Sequence, residues 1–169
     1  MRRVFALAPM SPLILWLTVA LIAIPVTFIL YPLVFQGPSF LTFPGLLLSG
    51  LYAAVWIFWR PTRFEFSPNG NLDIVFPGRK REIAASELVG CRLITNKQFR
   101  QEFGHALRVG VGGLWGGFGL LWTSKGGSVD FYVSRTDGLV LIERRSSRPI
   151  LITPENPRGM VEAMDRLQS

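Results

Sequence analysis

The chain has 169 residues and a net charge of +7, and the 56 residues from Val4 to Trp59 contain neither a charged side chain nor a histidine. All 11 acidic residues lie between Glu65 and Asp165, so the two parts of the chain are suited to different solvents. The single cysteine, Cys91, excludes an intramolecular disulfide and a zinc site built from several cysteines. A basic excess can indicate nucleic acid, but an anionic membrane surface attracts it equally, and no nucleic-acid partner is predicted.

Two apolar segments, at about residues 13–35 and 40–59, are each long enough to cross the roughly 30 Å hydrocarbon core of a bilayer as a helix. Residues 36–39 read Gln-Gly-Pro-Ser and have the composition of a tight turn. Prolines inside the segments are expected to kink the helices, because transmembrane helices tolerate proline. The sequence therefore predicts a membrane anchor over residues 1–60, made of two transmembrane helices.

Arginines flank this anchor on both sides, while the turn between the helices carries no charge. Arg2 and Arg3 precede the first segment, and Arg60 and Arg63 follow the second. Because positive charge favours the cytoplasmic side, we expect a multi-pass protein of the inner (plasma) membrane with both termini in the cytoplasm. A twin-arginine export signal is the alternative, but no small-residue cleavage site follows cleanly and a second full-length segment comes next.

The remaining residues, 61–169, form short alternating runs separated by turn residues. Residues 62–66 and 72–76 flank Asn69-Gly70, a strong hairpin signal. Met160, Val161, Met164 and Leu167 recur on one face of a C-terminal helix that starts near Asn156. Further strands are predicted at residues 81–84, 89–94, 106–111, 128–134, 139–143 and 149–153. The pattern indicates a small antiparallel β sandwich or barrel closed by one C-terminal helix.

Three blocks in this part have a recognisable order and spacing: residues 108–119, rich in glycine, residues 131–135 (Phe-Tyr-Val-Ser-Arg) and residues 149–157. In these blocks the chain resembles the bacterial PH-like (pleckstrin-homology-like) domain family, over about residues 64–167. The resemblance implies a PH-like barrel or sandwich that is often fused to a membrane hairpin. It implies no established enzymatic activity and no catalytic residues.

The glycine-rich run invites a nucleotide-loop interpretation, which fails because no Gly-Lys-Ser/Thr follows and the spacing is not G-x-G-x-x-G. A bulged or strongly twisted hairpin fits better, since glycine permits close backbone approach. Its apolar side chains belong either to the core or to a surface that meets lipid or a partner. On the second interpretation the candidate contact residues are Trp115, Phe118 and Trp122.

The other chemistry-bearing residues are few. His105 is the only histidine, so neither a histidine metal cluster nor a histidine-containing triad has enough members. The mixed charges at residues 79–87 are typical of a solvated face. Arg144, Arg145 and Arg148 form a basic cluster on a turn, which is a candidate contact for anionic headgroups or an acidic peptide.

The sequence thus predicts no catalytic, cofactor or metal site. Its leading hypothesis is a membrane-anchored, non-catalytic module that binds a protein segment, itself or lipid headgroups at the cytoplasmic face. Two alternatives stay open: an enzyme acting on a membrane-bound substrate, and an accessory subunit of a membrane transporter. The first needs convergent polar groups in a pocket and the second needs polar groups within the membrane.

Overall fold

The computed structural model describes residues 3–168, so that Met1, Arg2 and Ser169 lie outside the described part. Short 3-10 turns at Ser39–Leu41 and Ala85–Glu87 supplement the helices and strands. The elements in chain order are β1 Arg3–Ala6, α1 Pro12–Phe35, α2 Thr42–Phe58, β2 Arg63–Phe66, β3 Leu72–Val75, β4 Lys80–Ile83, β5 Leu88–Ile94, α3 Asn96–Phe103, β6 Ala106–Gly112, β7 Gly117–Thr123, β8 Gly127–Val133, β9 Leu139–Arg144, β10 Ile150–Ile152 and α4 Pro157–Gln168.

The first two helices, α1 and α2, form a helical hairpin and agree closely with the two predicted apolar helices. Both are long and apolar enough to cross a membrane, and most of their side chains are exposed. Helix α1 continues through Pro25 and Pro32, and Pro44 lies in the first turn of α2. The helices approach closely at Gly45, where a Cβ atom would lie 2.7 Å from the Ile29 side chain. Small residues of this kind allow close packing of membrane helices.

The first sheet is antiparallel, in the order β1-β2-β3-β4, and it begins with residues that precede the helical hairpin. Strand β1 precedes the helical hairpin in the chain and β2 follows it. The two strands are neighbours in the sheet, where Arg3 pairs with Phe66 and Ala6 pairs with Arg63. The sequence analysis did not predict β1. Four residues that run directly into a long apolar segment show no separate alternation.

The second sheet has the order β5-β9-β10-β8-β7-β6. Its strands pair antiparallel except β10 and β8, which are parallel because β10 inserts between β9 and β8. The prediction of a wholly antiparallel structure is therefore wrong at this one pair. Periodicity in the sequence locates a strand but does not identify the strands beside it. Here β10 is fully buried and lies between β9 and β8.

The domain buries apolar side chains on both faces of the second sheet. One cluster joins this sheet to the first sheet and to α4, whose Met160 and Met164 are fully buried. The other cluster lies under α3 and includes Phe99 and Phe103. The sequence analysis predicted α4 but missed α3, which Thr95 starts with a capping box.

Backbone hydrogen bonds fix which end of the second sheet faces the helical hairpin. Ser11 N–H, just before α1, donates to the Ser134 carbonyl at 3.1 Å, and Ala8 N–H donates to the Thr153 carbonyl at 2.9 Å. Ser134 and Thr153 directly follow β8 and β10. We call this end of the sheet the anchor end, and the end that holds the β9–β10 turn the far end.

Candidate functional site

A basic pocket of about 590 Å³ opens between the β9–β10 turn, β4 and β8. We call it the arginine pocket. Its volume is in the range of ligand-binding clefts. Its lining residues are Arg81, Asp130, Arg144, Arg145, Ser146, Ser147 and Arg148.

Asp130 holds the cationic wall of this pocket together. Arg81 donates from Nη2 to Asp130 Oδ2 at 2.8 Å and from Nη1 to the Tyr132 hydroxyl at 3.0 Å. Arg148 Nη1 lies 3.9 Å from Asp130 Oδ1. Burial lowers the pKa of Arg81, but its hydrogen bonds to Asp130 and Tyr132 and the negative charge of Asp130 outweigh burial and raise the pKa above its ordinary value. Arg81 is therefore a permanently charged and fixed part of the wall.

Arg144 is the unusual member of the pocket, because it is a buried cation with incomplete pairing. Its side chain is 7% exposed, and its Nη2 lies 3.5 Å from Glu87 Oε2. Its Nε is buried and has no hydrogen-bond partner among the described residues. Burial, followed by the positive charge of Arg81, lowers the pKa of Arg144. A buried donor without a partner costs about 1–3 kcal/mol, so Arg144 is held in the wall of the pocket at a cost in stability.

The charges around the pocket do not balance. Among the described residues, the arginines 81, 144, 145 and 148 form ion pairs with only two carboxylates, Asp130 and Glu87. Guanidinium groups suit the planar geometry of carboxylates and phosphates. The described residues hold no group of histidine, cysteine or carboxylate side chains that could bind a metal ion. The arrangement is suited to hold an anion.

The β9–β10 turn of the pocket lies at the far end of the second sheet, whereas Arg81 on β4 is two residues from Arg79, whose Nε donates to the Phe58 carbonyl at the end of α2 at 2.9 Å. Arg148 lies just before β10 and Thr153 just after it, so the two residues are at opposite ends of this strand. Attraction to anionic headgroups is screened over about 8 Å at physiological ionic strength. Position in the second sheet therefore separates the arginines of the β9–β10 turn from the residues that bond to the start of α1.

The β6–β7 hairpin, which we call the glycine hairpin, meets the helices directly. Thr18 on α1 is buried, and its hydroxyl accepts a hydrogen bond from Trp115 N–H at 2.9 Å. The same hydroxyl lies 2.9 Å from the carbonyl oxygen of Gly113. The Trp115 ring packs edge-on against Trp56 of α2, with ring centroids 4.9 Å apart. The tip of the glycine hairpin is thus docked on both helices.

Glycine is required inside this hairpin for steric reasons. Gly110 and Gly119 pair directly, with φ values of 144° and 137°. A Cβ atom on either residue would overlap the backbone of the opposite strand. These glycines therefore allow close backbone approach, as the hairpin interpretation of the sequence predicts.

The structure separates the predicted contact residues. Trp115 lies at the anchor end against the helices, whereas Trp122 is 65% exposed toward the far end. Phe118 is a correction: it is fully buried in the core between the sheets, so it is no surface contact. Alternation along β7 places Phe118 and Trp122 on the same face. It does not show that the first sheet covers Phe118 and leaves Trp122 exposed.

The basic cluster is brought together as predicted at the β9–β10 turn, with Arg145 and Arg148 exposed and Arg144 largely buried. Sequence reasoning missed Arg81 and Asp130, which come from distant strands. It had assigned Arg81 to a solvated face. Thr18 was also missed as a contact, because nothing in a single apolar segment indicates which hydroxyl meets the domain.

A family model described as "Bacterial PH domain" matches residues 68–168, more than half of the chain. The match begins after the helical hairpin and β2, and it includes all residues of the arginine pocket. No curated protein and no solved structure matches the chain.

Proposed function

Since the chain belongs to the bacterial PH domain family, we propose that it is a membrane-anchored interaction module whose arginine pocket binds an acidic segment of a partner protein. The family is generally non-catalytic. The observation that carries the proposal is the buried, incompletely paired Arg144 in a pocket where arginines outnumber carboxylates.

The membrane part of the proposal rests on the helical hairpin. Its two helices have the length, composition and exposure that suit a bilayer. Because β1 and β2 are neighbours in one sheet, both ends of the hairpin lie on the same side. Arg3, Arg60 and Arg63 lie at this side, and residues 36–39 carry no charge, which favours the cytoplasm for the domain.

An N-terminal signal peptide is disfavoured by the same strand. A cleaved signal would remove Arg3–Ala6, yet these residues complete the first sheet. Phe5 packs against Phe66 with ring centroids 6.2 Å apart, and Ala8 is buried against Thr153. The N-terminal residues are therefore part of the folded domain, and we infer that they are kept in the mature protein.

The place of the arginine pocket favours a protein segment over lipid headgroups. Its β9–β10 turn, which holds Arg144, Arg145 and Arg148, lies at the end of the second sheet opposite the residues that bond to the start of α1. An acidic segment offers carboxylates that match the guanidinium groups lining the pocket. Ser146 adds a hydroxyl donor at the rim, whereas the Ser147 hydroxyl already donates to Glu87 Oε2 at 3.4 Å.

The experiment measures binding of a fluorescein-labelled hexaglutamate peptide to the full-length protein in nanodiscs of neutral lipid. We expect binding that weakens with salt and falls at least tenfold in Arg148→Glu. Arg158→Glu, an equal change of charge on the exposed side of α4, is the matched control and should bind as the wild type does. Equal binding by Arg148→Glu, or binding of anionic vesicles without binding of the peptide, would contradict the proposal.

A further inference from the structure

Strand β6 is an open edge of the second sheet. Within the described residues it pairs only with β7. Leu107 and Val109 are 67% and 51% exposed, and Arg108 is the only charged residue of the strand. Natural proteins usually protect such edges with charges, prolines or coverage, because the unpaired N–H and C=O groups can accept another strand. An edge this long and this apolar is suited to receive one.

The two faces beside this edge differ in character. On one face Leu107 lies directly opposite Trp122, and Val109 lies opposite Leu120, so the exposed apolar side chains form adjacent cross-strand pairs. This patch continues the face that the first sheet covers at Phe118. A strand added beside β6 would bury Leu107, Val109 and Trp122, whose side chains are exposed to solvent.

The other face is basic. Arg108 alternates to this side and borders a cleft of about 320 Å³ between α3 and the sheet, together with Arg100, His105 and Arg135. The cleft has buried apolar residues such as Phe131 in its floor. Neither Arg100 nor Arg108 makes an ion pair with another described residue. Acidic side chains are therefore the complement that this face lacks.

A second copy of the chain does not fit the edge. The symmetric way for two identical edge strands to pair is antiparallel, which points the anchor ends of the two copies in opposite directions. Two copies held in one bilayer have their anchor ends on the same side. Antiparallel pairing would also bring two Arg108 side chains to one interface of a chain with a net charge of +7.

Lipid does not fit either, since Trp122 lies about 17 Å along β7 from Gly117, at the anchor end. We therefore propose that β6 accepts an extended segment of a partner protein as an added strand, in which apolar side chains alternate with acidic ones. The apolar side chains cover Leu107, Val109 and Trp122, and the acidic ones face Arg108 and the basic cleft. The proposal rests on the proposed anchoring, because anchoring is what excludes the second copy.

Strand addition divides the recognition between backbone and side chains. Main-chain hydrogen bonds to β6 supply affinity, and the alternation of side chains supplies specificity. The side-chain period of a strand is two, so one partner segment meets the apolar patch and the basic face at once. This site is distinct from the arginine pocket, which lies beyond β8 at the β9–β10 turn.

The test uses full-length protein in detergent micelles and fluorescence anisotropy of a labelled, acetylated Val-Glu-Val-Glu-Val-Glu-Val peptide. We expect Leu107→Asp and Arg108→Glu each to weaken binding at least tenfold. Arg108→Glu should also gain binding of the corresponding Val-Lys peptide. Leu93→Asp on β5, at the opposite edge of the same sheet and 45% exposed, is the matched control and should leave binding unchanged.

A second peptide isolates the backbone contribution. N-methylation at alternate residues keeps the side chains of the peptide but removes the backbone N–H donors along one of its edges. We expect the peptide methylated on the edge that faces β6 not to bind. Full binding of that peptide, or full binding by Arg108→Glu in protein with wild-type thermal stability, would overturn the proposal. Loss of the peptide in Arg148→Glu but not in Arg108→Glu would also overturn it, while leaving the proposed function of the arginine pocket standing. Dimerisation that Leu107→Asp abolishes would identify a second copy as the occupant instead.

Discussion

The hydroxyl of Thr18 on α1 accepts a 2.9 Å hydrogen bond from the backbone N–H of Trp115, 97 residues later in the chain. This bond joins the helical hairpin to the tip of the glycine hairpin at a buried position. The two parts of the molecule are therefore docked by a specific polar contact as well as by the packing of Trp115 on Trp56.

Thr18→Val keeps the shape of the side chain but removes this hydrogen bond. We expect a loss of about 1–3 kcal/mol in the free energy of unfolding, because the Trp115 N–H is left without a partner. Thermal unfolding in detergent measures it, and Thr18→Ser should restore most of the loss. Thr27→Val is the matched control, since that exposed hydroxyl donates only to Ala23 of its own helix. Equal stability of Thr18→Val and Thr27→Val would show that the contact contributes nothing.

The N-terminal strand should stabilise the domain even when the helices are absent. A fragment of residues 60–169 lacks β1 and exposes Phe66 at the edge of the first sheet. Joining residues 3–11 to it through a flexible linker should raise the stability by at least about 2 kcal/mol, comparable to the burial of one large apolar side chain. Chemical unfolding followed by circular dichroism compares the two fragments. The linked fragment with Phe5→Asp should be no more stable than the fragment of residues 60–169 alone.

The only thiol of the chain should report unfolding. Burial, followed by the negative charge of Asp165, raises the pKa of Cys91 to about 12. At pH 8 only about one thiol in ten thousand is then ionised, against about a quarter for an unperturbed pKa near 8.5. We expect no labelling by a water-soluble maleimide in the folded protein and rapid labelling after denaturation. Fast labelling without loss of structure would contradict this burial.

The same thiol predicts a pH dependence of stability. Because the pKa is raised in the folded state, the contribution is complete below about pH 8.5 and is lost as the pH rises toward 12. The difference in stability between the wild type and Cys91→Ala should therefore shrink between pH 8 and pH 10, by up to about 1.4 kcal/mol per unit. Thermal unfolding of both proteins across that range measures it. A difference independent of pH would mean that the folded thiol ionises normally.

The topology also has a direct test. A reporter that is active only in the cytoplasm should be active when it is fused after Ser169. A cysteine placed within residues 36–39 of a Cys91→Ala background should react with a membrane-impermeant reagent from outside intact cells. Activity of a reporter that works only after export would reverse the proposed orientation.

The elements that the sequence predicted well are those specified by local chemistry. Asn69-Gly70 supplied the turn between β2 and β3, where Gly70 has a φ of 80°, and the apolar stripe identified α4. The two apolar helices followed from composition alone. Local patterns were sufficient in these cases because each element's main constraint lies within its own residues.

The rest depends on contacts between distant residues. Neither the pairing of Arg3–Ala6 with β2 nor the insertion of β10 between β8 and β9 leaves a local signal. The arginine pocket was found only in part, since Arg81 and Asp130 reach it from separate strands. The helix α3 did carry a signal, the Thr95–Gln98 capping box, but its eight residues include too few apolar positions to show a helical period.

The position of β1 gives the chain an order of assembly. Arg3–Ala6 leave the ribosome first, but their partner Arg63–Phe66 is made only after α2. The first strand therefore has to wait, unpaired, until both helices have been synthesised and the chain has returned to the same side. With the proposed anchoring, a hairpin with only one helix across the bilayer would leave the two strands on opposite sides of it. Under that proposal the first sheet closes only when both helices or neither cross the bilayer, so completion of the domain would report on a half-inserted hairpin.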